Sequence, residues 1–91
     1  KKLLTETSLG IGFTAAQYIQ FGQAKEAISL AKLAISLNPT LAENWIILSQ
    51  AQANNNLLQE ALISINKAKS INPNISEIWF SQASIEFNLY F

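Results

Sequence analysis

Apolar residues recur along most of this sequence at the three- and four-residue spacing of an amphipathic helix. One apolar stripe comprises Ala27, Ala31 and Ala34, and a similar stripe follows 34 residues later. No stretch alternates between apolar and polar residues over the length of a β-strand, which would have a period of two. The pattern therefore predicts five helices, at residues 5–20, 24–37, 40–54, 57–71 and 74–89.

Two Asn-Pro dipeptides lie between predicted helices. Pro39 and Pro73 cannot continue a helix, because proline lacks the amide hydrogen and its ring clashes with the preceding turn. At three places a short polar residue precedes a Glu or Gln by three positions, which is the spacing of a capping box. We expect these boxes at Thr40–Glu43, Asn56–Gln59 and Asn74–Glu77. Because the predicted connections are short, neighbouring helices should be antiparallel.

The chain is similar to itself at an offset of 34 residues. Trp45 aligns with Trp79, and the two Asn-Pro dipeptides align with each other. A fixed period of this length is typical of solenoids. From Ala42 to Asn74 the sequence resembles a tetratricopeptide repeat, whose pattern is W-x2-L-G-x2-Y, then A-x3-F, then P. The matching residues are Trp45, Leu48, Ser49, Gln52, Ala61, Ile65 and Pro73. Gln52 departs from the pattern, because an aromatic residue is usual there.

The resemblance implies an all-α fold, a right-handed superhelical α-solenoid of antiparallel helix hairpins. We expect a single domain at residues 1–91, with units at about 8–41, 42–75 and 76–91. The last unit contains only a first helix. We expect it to be cut from a longer array, because capping units usually have a polar outer face and this helix ends in apolar residues. The final NLYF also resembles part of a protease-cleavage tag, and a natural helix end fits equally well.

The two tryptophans have two interpretations. They could form an aromatic clamp for a ligand, or each could be a core residue of its own hairpin. Trp45 and Trp79 occupy the same position of the repeat pattern, and that position favours the core.

The composition excludes several kinds of site. The 91 residues contain no His or Cys, so the usual zinc and transition-metal ligand sets cannot be assembled, and we expect no metal and no cofactor. Six lysines balance six glutamates and Arg is absent, which argues against nucleic-acid binding. Asp is absent as well, which leaves few pairs of nucleophile and base. We therefore expect no enzymatic activity.

A membrane-spanning helix is not expected either. The stretch from Thr7 to Ala24 is uncharged, but glutamines and glycines interrupt its apolar residues. A span requires about 20 predominantly apolar residues.

The family resemblance implies a concave groove, formed by the first helices of successive units, that holds a peptide or a partner helix. We expect it to comprise Ile19, Gln20, Glu43, Ile46, Gln50, Asn54, Glu77, Phe80, Ser84, Phe87 and Asn88. Family members that grip an acidic C-terminal tail use cationic residues, and none stands at the corresponding positions here. The sequence thus predicts an apolar, amide-lined groove for an uncharged or mildly basic apolar segment.

Two further functions stay open at this point. The exposed face of the last helix could mediate self-association and produce a homo-oligomer, since exposed apolar patches mark interfaces in general. The segment could also be the regulatory region of an enzyme. The main expectation is a non-catalytic scaffold for protein–protein interaction.

Overall fold

The computed structural model describes the backbone from residue 2 to residue 91 and the side chains from residue 6 onward. In this part the chain forms five α-helices and no strand, which confirms the all-α class. The helices are α1 (Lys2–Gln20), α2 (Ala24–Leu37), α3 (Ala42–Asn54), α4 (Leu58–Ile71) and α5 (Ser76–Tyr90). The bounds of α2 agree with the prediction, whereas α3, α4 and α5 begin one or two residues later than predicted.

The predicted capping boxes are wrong. The residues that precede α3, α4 and α5 are Leu41, Leu57 and Ile75, and none of them makes a side-chain capping hydrogen bond within the described part of the chain. Thr40 and Asn74 instead lie one residue farther upstream. Near α3 and α5 a structural role belongs instead to the asparagines of the Asn-Pro dipeptides.

That role is an Asx turn around each Asn-Pro dipeptide. Asn38 Oδ1 accepts hydrogen bonds from the backbone N–H of Thr40 at 3.2 Å and from its hydroxyl at 2.8 Å. In the next unit, Asn72 Oδ1 accepts from the backbone N–H of Asn74 at 3.1 Å. An asparagine side chain that bonds two residues ahead mimics a backbone turn. The repeated Asn therefore shapes the loop between units and leaves the helix start to the following residues.

The turns inside the hairpins also repeat at the 34-residue offset. Gly22 has φ +78° and Asn56 has φ +62°, both in the left-handed region that glycine and asparagine tolerate best. The next N–H, from Gln23 or Leu57, reaches back five residues to the carbonyl of Tyr18 or Gln52, at 2.8 Å in both cases. This is the Schellman arrangement that ends a helix. Asn56 thus terminates α3 and does not cap α4.

The helices form two layers. One layer contains the first helices of the hairpins, and in it α3 contacts both α1 and α5. The other layer contains the second helices α2 and α4, which pack against α1 and α3 respectively. The smallest extent of the molecule, 17 Å, fits two helix layers. This is the stacking of helix hairpins that defines an α-solenoid.

Two apolar clusters form the core. One contains the buried residues Ala15, Ala27, Ala31, Leu48 and Ala51. The other contains Ala42, Ile46, Ala61, Ile65, Ala68, Ile78 and Ile85. Small alanines of α2 and α4 let the helix backbones approach, and Trp45 packs against both clusters. Trp45 therefore joins the two core clusters.

The two tryptophans differ in burial although their sequence positions are equivalent. Each indole Nε1–H donates to the carbonyl of the proline six residues earlier, Trp45 to Pro39 at 2.9 Å and Trp79 to Pro73 at 3.3 Å. Trp45 is partly buried in its hairpin, as expected of a core residue, but Trp79 is 53% exposed. The prediction of a core residue therefore agrees with the burial of Trp45, whereas more than half of Trp79 is exposed.

Candidate functional site

An open depression lies on the face formed by the first helices α1, α3 and α5. Its volume is about 400 Å³. The lining residues are Ile19, Gln50, Ala53, Asn54, Glu77, Phe80, Ser81, Ser84 and Ile85. Helical spacing explains the contribution of α5, because Glu77, Ser81 and Ile85 follow each other at four-residue steps and so share one face.

The depression has an apolar floor and a polar wall. Ile85 is buried in the core, and Ile19 and Ala53 are partly buried. The wall contains amides and hydroxyls, which can both donate to and accept from a peptide main chain. Phe80 lies at the rim with 76% of its surface exposed. A ligand that covers Phe80 and rests on the floor would remove apolar surface from water.

A hydrogen bond joins α3 to α5 across the depression. Gln50 Nε2 donates to Glu77 Oε2 at 2.8 Å. Near the other end of α5, Asn88 Nδ2 donates to the carbonyl of Ser84 at 3.0 Å, which turns this amide back onto its own helix. The wall of the depression is therefore partly preorganised, because the hydrogen bond to Glu77 fixes the orientation of Gln50. Glu77 itself stays exposed.

The structure brings together six of the residues that the sequence predicts for the groove. These are Ile19, Gln50, Asn54, Glu77, Phe80 and Ser84. Four others are exposed or partly exposed but do not line the depression, namely Gln20, Glu43, Phe87 and Asn88.

Ile46 does not lie on the groove surface. Its side chain is 2% exposed and belongs to the same core cluster as Ile78 of α5. The equivalent position in the first unit, Gly12, is also buried, and there Asn44 of α3 fills the space. At this position of the repeat the next first helix covers the residue, so Ile46 cannot contact a ligand.

Ala53, Ser81 and Ile85 line the depression but are absent from the groove residues predicted above, and Ile85 is the buried one among them. It resembles a core residue in the sequence, and it is one, at 3% exposure. Its spacing from Glu77 and Ser81 on one helix face is the signal that could have found it. A buried residue of this kind affects ligand binding through the shape of the floor, because only a small part of its side chain reaches the surface.

Charge is distributed unequally between the two helix layers. The first helices α3 and α5 together contain three glutamates and no lysine. The second helices α2 and α4 contain four lysines and two glutamates. On α1, the other first helix, Lys2 and Glu6 cancel, so the layer that forms the depression is net acidic and the opposite layer is net basic. Among the described lining residues Glu77 alone is charged.

Two other kinds of site are not found in the described part of the chain. No group of three or more His, Cys, Asp or Glu side chains among those residues could hold a metal ion. None of the helices described is both long enough and apolar enough to cross a membrane.

Comparison with known proteins agrees with this architecture. Residues 42–75, which comprise α3, α4, the turn between them and the turn that follows, match the family model of the tetratricopeptide repeat. No curated protein shows significant similarity to the chain. Tetratricopeptide repeats generally mediate protein–protein interactions by binding proteins or peptides, and they are typically non-catalytic. The match and the five helices fit a tetratricopeptide-repeat-like protein, an all-α solenoid of helix hairpins in which residues 42–75 match the family model.

Proposed function

We propose that this chain is a non-catalytic scaffold that binds a peptide or partner helix of another protein in the depression between α1, α3 and α5. The observation that supports it is the combination of a buried apolar floor at Ile85 with an aromatic rim at Phe80, on the layer of first helices. Ligand sites are concave and mostly apolar, with a few polar groups that orient the ligand. The lining has this composition.

The ligand should be apolar and uncharged or mildly basic. The lining contains no lysine, and its one charged residue, Glu77, is acidic. An acidic tail would face Glu77 without any cation to pair with it. The amides of Gln50 and Asn54 can bond the main chain of an extended or helical segment.

Selection from a random peptide library tests the proposal and does not require the natural partner. Phage-displayed peptides of about 12 residues, three helical turns in length, would be selected on the immobilised protein. We expect enrichment of apolar, non-acidic sequences. Their affinity, measured by fluorescence anisotropy, should fall at least about fivefold in Phe80→Ser, since truncating an aromatic contact that the peptide covers costs more than about 1 kcal/mol.

Phe13 provides a matched control. It is an exposed phenylalanine on α1 that does not line the depression. Phe13→Ser should leave the affinity of the selected peptides unchanged. Enrichment of acidic peptides, or equal losses in the two variants, would contradict the proposed site.

The alternative function is self-association, in which a second copy of the chain covers the apolar end of α5. Phe87 and Phe91 stack at the end of α5 with ring centroids 5.5 Å apart, and both are exposed together with Tyr90. Such a patch can mediate self-association. Light scattering separates the two functions: a monomer at high concentration favours the peptide-binding function, whereas a dimer that Phe87→Ser dissociates favours self-association.

A further inference from the structure

Glu77 and Phe80 form a specific feature within the depression. They lie three residues apart on α5, so they are neighbours on one helix face with Cβ atoms about 5–6 Å apart. Both side chains are exposed and both line the depression. A carboxylate beside the open face of an aromatic ring can bind a cation through charge and through the ring at the same time.

The carboxylate of Glu77 has capacity for a further donor. Its Oε2 accepts one hydrogen bond, from Gln50 Nε2 at 2.8 Å. An ionised carboxylate can accept about four hydrogen bonds on its two oxygens. Gln50 therefore fixes the orientation of Glu77 from α3 and leaves room for a ligand group from the open side.

The surrounding charge favours a cationic ligand. The lysines of α2 and α4 belong to the opposite layer, the charged residues of α3 and α5 are all glutamates, and Lys2 and Glu6 cancel on α1. Lys69 of α4 reaches α5 at Trp79 and Gln82, which do not line the depression. A cation that approaches the layer of first helices meets a net negative field, and complementary charge accelerates encounter and fixes register. Of these glutamates, Glu77 is the one that lines the depression beside its apolar floor.

We propose that the depression recognises an arginine in an otherwise apolar peptide segment, with the guanidinium paired to Glu77 and stacked on Phe80. This inference rests on the proposed peptide-binding function and names its ligand. The neighbouring apolar side chain of the peptide covers the floor at Ile19, Ala53 and Ile85.

Arginine fits this feature better than lysine. Its planar guanidinium can donate two parallel hydrogen bonds to a carboxylate and can stack on an aromatic ring. The lysine ammonium is a compact, strongly hydrated point charge that does neither as well. These 91 residues contain no arginine, so a second copy of them cannot supply this group. The occupant is therefore a segment outside these residues.

The test uses peptides selected on the wild-type chain and versions of each in which arginine is replaced by lysine or glutamine. Affinities would be measured by fluorescence anisotropy for the wild type and Glu77→Gln. We expect the arginine peptide to bind the wild type about fivefold more tightly than the glutamine peptide, as exposed ion-pair and cation–π contacts allow. In Glu77→Gln most of this preference should disappear, because the arginine peptide loses more affinity than the glutamine peptide does.

Glu43→Gln is the matched control, since Glu43 is the exposed equivalent of Glu77 on α3 and does not line the depression. It should keep the arginine preference. Selected apolar peptides without arginine, or equal affinity for the lysine peptide, would overturn this inference and leave the proposed function intact. Failure to select any peptide would overturn both, as would a chain dimer that Glu77→Gln dissociates.

Discussion

Asn44 Nδ2 on α3 donates a 2.7 Å hydrogen bond to Ser8 Oγ on α1, and both side chains are fully buried. The Ser8 hydroxyl donates in turn to the carbonyl of Ala34 on α2, also at 2.7 Å. The equivalent residues 34 positions later, Ala42 and Ile78, belong to an apolar cluster. The same interface between units is thus polar once and apolar once.

The two glycines of α1 should respond oppositely to alanine. A Cβ at Gly12 would collide with Asn44 Oδ1, whereas a Cβ at Gly10 would meet no heavy atom within 4 Å among the described residues. We expect Gly12→Ala to lower the free energy of unfolding by about 1–3 kcal/mol, as overpacking does. Gly10→Ala should raise it by about 0.5–1 kcal/mol, because alanine favours the helix. Urea denaturation followed by far-UV circular dichroism measures both.

A double variant identifies the cause at Gly12. Asn44 Oδ1 is buried and has no hydrogen-bond partner among the described residues, so its removal relieves both the collision and an unsatisfied group. Gly12→Ala combined with Asn44→Ala should therefore cost less than the sum of the single variants. Strict additivity would show that the two residues do not interact.

A buried hydrogen bond replaces the aromatic residue that the family pattern places at position 52. Ser64 Oγ of α4 donates to Gln52 Oε1 of α3 at 2.6 Å, and both side chains are buried. Ser64→Ala should lower the free energy of unfolding by about 1–3 kcal/mol, since it leaves the Gln52 oxygen unsatisfied. Adding Gln52→Leu should restore most of the loss, because two apolar groups of similar shape can replace a buried polar pair. If the double variant is less stable than Ser64→Ala, this account is wrong.

The fold was predictable because its evidence is periodic. Apolar spacing, the Asn-Pro dipeptides and the 34-residue offset together predict the five helices. The helix starts were not predictable from local spacing, because capping boxes and Asx turns use the same short polar residues. Asn38 and Asn72 bond forward across the proline, and the helices then begin after hydrophobic Leu41 and Ile75.

The candidate site was predictable only in part, because helical spacing gives the face of a helix and not its neighbour. Ile46 and Phe80 are equivalent in the repeat, yet Ile46 is buried by α5 and Phe80 is exposed. The bond between Gln50 and Glu77 likewise depends on the distance between α3 and α5, which no sequence pattern specifies.

Asn72 should contribute more than Asn74 to the stability of the turn between α4 and α5. Its Oδ1 accepts from the backbone N–H of Asn74, so Asn72→Ala removes the Asx turn. We expect a loss of about 1 kcal/mol in the free energy of unfolding, which is typical of an intramolecular hydrogen bond. Asn74→Ala keeps the backbone donor and should change the stability by less than about 0.5 kcal/mol. The reverse order in thermal denaturation would favour the capping box instead.

Trp45 and Trp79 should differ in both stability and accessibility, although they occupy the same repeat position. Each can be isolated by changing the other to phenylalanine, because the chain contains only these two tryptophans. Trp45→Phe should destabilise the chain more than Trp79→Phe, since Trp45 packs against both core clusters and Trp79 is 53% exposed. Acrylamide should quench the fluorescence of Trp79, measured in Trp45→Phe, more strongly than that of Trp45, measured in Trp79→Phe. Equal quenching would mean that Trp79 is covered in solution, and light scattering on the same samples would show whether a second copy covers it.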